Sequence, residues 1–159
     1  MLRRVALAVL AAQLLVLPAV PSPAAAEETV TDRASVIDGQ TIRLRDVAVV
    51  LWGVIGPKPG ERGAAEAALG LYKLVDSRIV TCHLTGIVLD EGRRQLGKCE
   101  SVGLDLGAVL VSQGYARDCP SQSGGRYRIQ EERARATPKL PAGWEPPAHC
   151  RAAAAHRKP

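Results

Sequence analysis

The chain has 159 residues, with 21 Lys or Arg against 16 Asp or Glu, a formal net charge of +5, and 3% aromatic residues with no Phe. The charge is uneven, since residues 126–159 hold eight basic and three acidic side chains while residues 27–125 hold eleven and thirteen. Those numbers argue against a body built as a basic nucleic-acid platform, and two Trp and three Tyr are too few for a row of base-stacking faces.

Arg3 and Arg4 precede an apolar run from Val5 to Val20 that is broken by Gln13 and Pro18, and Ala24-Ala25-Ala26 offers a cleavage site. The pattern predicts a secretory signal peptide over residues 1–26 and an exported protein, periplasmic or secreted. The run is too short and too broken for a membrane span, and no second hydrophobic segment can anchor the mature chain. The remaining 133 residues suit one domain with one core over residues 27–136, followed by a Pro- and Ala-rich basic tail over 137–159.

Short strand-like runs follow at Arg33–Ile37, Thr41–Arg45, Ala48–Val54, Arg78–His83 and Gln95–Ser101, with Asp38-Gly39 as a tight turn between the first two. The segment Gly60–Asp76 places Ala64, Ala68, Leu71, Tyr72 and Val75 at helical spacing, which predicts one buried stripe. Leu106, Val109 and Leu110 give a second helix its apolar face, Gly114 stops it, and a third helix is predicted from Gly125 to Ala136. PKLPAGWEPP, with four prolines, must be extended or turning and is long enough to wrap back over the body. The expected class is α+β, mainly β, a five-stranded OB-type barrel with two to three packed helices. No internal repeat interrupts it.

Among the aromatics, Trp52 falls within a predicted strand, and Tyr127, between Arg126 and Arg128, has the local setting of a nucleic-acid contact. The basic end RAAAAHRKP reads as a solubilising tail that attracts polyanions or membrane surfaces weakly and without specificity.

Four cysteines in an exported chain imply two disulfides, and sequence alone leaves three pairings open. Cys82 and Cys99 fall in predicted neighbouring antiparallel strands, where two residues on one face meet the short Cβ separation a disulfide requires. That pairing leaves Cys119 to hold Cys150 and tether the tail. Cys82-His83 and His149-Cys150 also raise zinc, but adjacent residues of a strand face opposite sides, and the spacing lacks the form of structural zinc sites. The order G-x-x-x-x-G-K-[ST] is absent from GPKPGERG, and no G-x-S-x-G, H-E-x-x-H or G-x-G-x-x-G occurs.

The stretch from Val36 to Arg62, VIDGQTIRLRDVAVVLWGVIGPKPGER, resembles the start of the staphylococcal-nuclease (thermonuclease-like) family. There a V-I-D-G-D-T turn is followed by a strand reading R-L-W-G-I-D-A-P-E. DEGRRQLGKC from Asp90 to Cys99 is similar to the family's D-R-Y-G-R hairpin and following strand, and GLDLGAVLVSQGYARDCP to its D-L-x-x-x-L-V-x-x-G-x-A helix. DCPSQSGGRY is similar to a segment of exported members that carry a late partner Cys for the bridge. The matches span about residues 33–130.

The resemblance implies an active site with its acids removed. Gln40 stands where the family has a calcium-holding Asp, Ile55 where it has the second, Val50 at the phosphate-binding Arg, and Lys58 at or next to the Glu that handles water. Arg94 falls at the second phosphate-binding Arg, the one retained catalytic position of five. Calcium takes six to eight oxygen ligands, several usually anionic. Ile55 supplies none and Lys58 repels the ion, so no metal site and no cofactor are expected. Phosphodiester cleavage needs fixed positive charge around the phosphorus, and most of those donors are missing.

Two readings follow. The first is a catalytically degenerate binding or structural module, with a periplasmic protein or a phosphate-containing ligand as partner and Lys58 and Arg94 facing an anion in one cleft. The alternative is a divergent nuclease that keeps weak activity through Arg94, Asp38 and Gln40 with a metal, calcium or another.

Overall fold

The computed structural model describes residues 28–151. The predicted signal segment 1–26 and tail residues 152–159 lie outside them. The described residues form an α+β structure, a mostly antiparallel six-stranded sheet with four helices and a separate two-stranded pair. No described helix is long and apolar enough to cross a membrane.

Strand β1 (Thr29–Asp38) alternates exposed and half-buried residues, the period-two signature of a strand with one face inward. It turns through Gly39-Gln40, one residue past the predicted pair, into β2 (Thr41–Leu44). The Asp38 carboxylate caps that turn by accepting the Gln40 backbone N–H at 2.9 Å. Glycine is required at 39, because a Cβ there would stand 2.5 Å from the Cβ of Ala67. β2 pairs with β3 (Val47–Leu51). The predicted third strand breaks at Trp52-Gly53, and β4 (Val54–Ile55) leaves the sheet to pair with β8 (Arg117–Asp118).

Helix α1 (Ala64–Val75) lies where a helix is predicted, but its inward face is rotated from the predicted stripe. Ala67, Gly70, Leu71 and Val75 are buried, Ala64 and Ala68 are half-buried, and Tyr72 is 49% exposed. Small residues set this rotation. The Gly70 Cα faces the ring of Tyr115 so closely that an added Cβ would stand 2.6 Å from it.

β5 (Ile79–Leu89) pairs with β1 and, past the predicted end at His83, continues through an irregularity that includes Gly86 at φ +75°. β6 (Arg94–Ser101) returns along β5 and ends in the short β7 (Leu104–Asp105). The sheet order is β3-β2-β1-β5-β6-β7, and β3 also pairs in parallel with β6 through Val49–Gln95, Val50–Leu96 and Leu51–Gly97.

Helix α2 (Leu106–Ser112) is capped by Asp105, whose carboxylate accepts the Ala108 N–H at 3.1 Å. Leu106, Gly107, Leu110 and Val111 are its buried residues, while Val109 is half-buried. The helix predicted over 125–136 forms as the shorter α4 (Arg128–Ala134), and a separate four-residue helix, α3 (Pro120–Ser123), precedes the predicted range. Gly124 and Gly125 at positive φ separate them.

The core gathers Ile42, Leu44, Val49, Leu51, Val80 and Leu84 from the sheet against Leu71 and Val75 of α1 and the α2 leucines. Cys82 and Cys99 face each other across β5 and β6 and are bonded inside this core. Cys119 and Cys150 are bonded in a second, smaller cluster with Ile55, against which Trp144 packs.

Candidate functional site

The β1–β2 turn puts Gln40 beside the strands it must serve. Its side-chain Oε1 accepts the Gly56 N–H at 2.9 Å, and its backbone carbonyl accepts the Leu51 N–H at 2.8 Å. The side-chain oxygen Gln40 could offer a cation is neutral and already accepts one hydrogen bond. Val50 is 7% exposed within β3, where its neighbours are Thr41 and Leu96. Ile55, 9% exposed, packs on the Cys119–Cys150 bridge. Arg94 opens β6 and is paired with Asp90 one turn back. That bond raises the guanidinium above its usual range, and the charge of Asp38 adds to it. The Asp90 carboxyl is lowered, first by its bond to Arg94.

Lys58 sits in a different setting. Prolines at 57 and 59 stiffen its loop, and its backbone N–H donates to Glu61 Oε2 at 2.9 Å. Its side chain lines an open cleft of about 570 Å³ between this loop and the returning segment 141–147. The Glu61 carboxylate also accepts Trp144 Nε1–H at 3.4 Å, tying the two walls together. Ile55, Arg62 and Glu145 complete the lining that bears on chemistry. Arg94 is not among the residues that line this cleft. The predicted wrap of the proline-rich segment does form: Lys139 and Leu140 N–H groups reach the Gly114 carbonyl, and Cys150 anchors the far end.

Tyr127, read above as a possible base-stacking residue, is 2% exposed and belongs to the core. Its hydroxyl donates to Asp105 Oδ2 at 3.0 Å, and burial raises its pKa far above the ordinary phenol value. It has no face free for a base. Cys82 is buried and His83 exposed, on opposite faces of β5. Cys119, His149 and Cys150 do come together, with ligand atoms within 4.8 Å of one another. Joined as a disulfide, the two sulfurs are not the thiolates that bind zinc.

One buried carboxyl lies behind the site. Asp118, 4% exposed, accepts a hydrogen bond from the Ser123 hydroxyl, and its N–H donates to Glu131 Oε2 at 3.1 Å. Burial raises its pKa above 3.8, opposed by the Ser123 bond and reinforced by the Glu131 charge. The folded protein keeps a proton that the unfolded chain releases, so this group's contribution to stability falls as pH rises from 3.8 through the raised value. The Asp118→Asn variant should gain stability relative to the wild type over that interval in a pH series of melting curves. A gap between the two that stays constant with pH would refute the assignment.

Glu61, Arg62 and Trp144 belong to no motif that marks a binding site in the sequence. The available signal was two proline-stiffened segments, GPKPGER and PKLPAGWEPP, each bearing charged residues and one bearing a Trp. The chain matches no protein-family model and no curated protein.

Proposed function

We propose that this chain is an exported thermonuclease-like protein on a five-stranded OB-type barrel, silent as a nuclease and working as a binding or structural module. The ring of pairings β1-β2-β3-β6-β5, returning to β1, supports the barrel. Two disulfides support an oxidising, exported setting.

The observation that carries the reading is the occupation of the altered positions by internal contacts. Gln40 is engaged with Gly56, Val50 is in the sheet, and Ile55 is under the Cys119–Cys150 bridge. A cation there would meet apolar carbon and one amide oxygen that already accepts a hydrogen bond, and none of positions 40, 50, 55 and 58 supplies a carboxylate base. Arg94 alone can steady charge but cannot activate a nucleophile. The alternative, a divergent metal-dependent nuclease using Arg94, Asp38 and Gln40, draws on the reach of the Asp38 charge to Arg94.

A plasmid-nicking assay on the oxidised protein, with calcium and separately with magnesium, should show no cleavage above the buffer rate. Calorimetry should show no specific calcium heat at sub-millimolar ion. Metal-dependent nicking that disappears in Arg94→Ala would establish the nuclease reading instead.

A further inference from the structure

We propose that the cleft between the Ile55–Arg62 loop and the 141–147 segment binds a small organic anion with a flat, apolar body. The inference deepens the binding-module reading and rests on it. Four charged side chains line the cleft, and their partners decide its sign. Glu61 is held by the Lys58 N–H and the Trp144 indole, both on Oε2, and keeps its charge, while Glu145 pairs with Arg151 at 3.5 Å. Neither Lys58 nor Arg62 has a salt-bridge partner among the described residues. With the Glu61 charge set against Lys58 and Arg62, the lining keeps one net positive charge, offered by a point charge and by a planar fork suited to a carboxylate or phosphate.

The remaining surface sets the body of the ligand. Ile55, Trp144 and the ring carbons of Pro141 and Pro147 offer apolar contact, and the indole is fixed by its bond to Glu61. A volume of about 570 Å³ is that of a site for a molecule of drug-like size. Two cations and a single Trp are too few for a nucleic-acid strand, which needs a track of positive charge and successive stacking faces. The walls are also rigid before any ligand arrives. An added Cβ at Gly63 would stand 2.6 Å from Pro141 Cδ, so the returning segment lies flush on the loop, and the Cys119–Cys150 bridge holds its end. Binding to preformed walls forfeits little ordering entropy.

The probe is 8-anilinonaphthalene-1-sulfonate, an aromatic anion, titrated into the oxidised full chain by fluorescence and calorimetry. One saturable site is expected, weakened by added salt. The Lys58→Ala, Arg62→Ala double variant should bind about tenfold more weakly or worse, the loss expected when charge-assisted bonds are removed. Both side chains are exposed, so its melting curve should match the wild type. If it does not, the Lys58→Gln, Arg62→Gln pair gives the same comparison. Trp144→Ala should also weaken binding, and the neutral N-phenyl-1-naphthylamine should bind less well than the anion. Displacement of the dye by benzoate would identify a carboxylate ligand and displacement by phenyl phosphate a phosphate. No saturable binding, displacement by neither anion, or equal affinity in the double variant would overturn the proposal. A protein that fails these tests and still nicks no plasmid would lose this site and keep its standing as a silent nuclease fold.

Discussion

Replacing Tyr127 with alanine should lower stability by about 3–5 kcal/mol, the range for removing a large aromatic from a packed core. Three features converge on this ring. It is among the largest fully buried side chains and meets Trp52 edge-on, with centroids 6.2 Å apart. Two glycines make room for it, since an added Cβ would stand 3.0 Å from Tyr127 Cε2 at Gly53 and 3.2 Å from the hydroxyl at Gly107. Its hydroxyl bonds the carboxylate that caps α2, so the ring ties the start of α4 to the start of α2. Urea denaturation gives the measurement, with Tyr127→Phe as control. The control removes only the hydroxyl bond and should cost about 1 kcal/mol. A loss under about 1 kcal/mol for the alanine variant would mean that the ring is not packed as described.

Removing the Cys119–Cys150 bridge by Cys119→Ser and Cys150→Ser should cost about 3–4 kcal/mol on the loop-entropy model, for a sequence separation of 31. The bridge also fixes the small cluster of Ile55 and Trp144, so the variant should become sensitive to protease within residues 138–150 while the sheet stays resistant. The Cys82–Cys99 bridge, with a separation of 17, should cost about 3 kcal/mol and leave the 138–150 segment protected. Equal protease patterns in the two variants would separate the cleft from the bridge and remove the basis for its rigidity.

The sequence carried the strands and the turn because period-two patterning and the Asp38-Gly39 pair are local signals. It misjudged the face of α1 because hydrophobicity does not register smallness. Ala67 and Gly70 are inward because Gly39 and Tyr115 approach them, whereas Tyr72 and Leu69, more apolar in appearance, face out. The two-residue strands β4, β7 and β8 have no pattern long enough to read, and tertiary pairing alone defines them. The burial of Tyr127 was not legible, because a single ring in a run of Arg and Gly has no local signature. In the candidate site, the absence of a carboxylate at positions 40 and 55 was legible from the residues themselves, Gln and Ile. The meeting of Trp144 with Glu61 was not, since 83 positions separate them.

The parallel pairing of β3 with β6 has a kinetic consequence. β1, β2 and β3 form successive local hairpins, and β5 and β6 form another, units that assemble on about the microsecond scale in isolation. What joins them is distant in sequence: Thr29 meets His83 across 54 positions, and β3 must find β6 from the far side of α1. Such contacts reward the chain only after a long loop has closed, which places mixed folds of this kind among the slower single domains. Neither covalent bridge shortens that search, because Cys82–Cys99 lies within the β5–β6 hairpin and Cys119–Cys150 lies beyond it. Refolding of the oxidised chain is then governed by the meeting of two hairpin sets, with α1 as the tether between them.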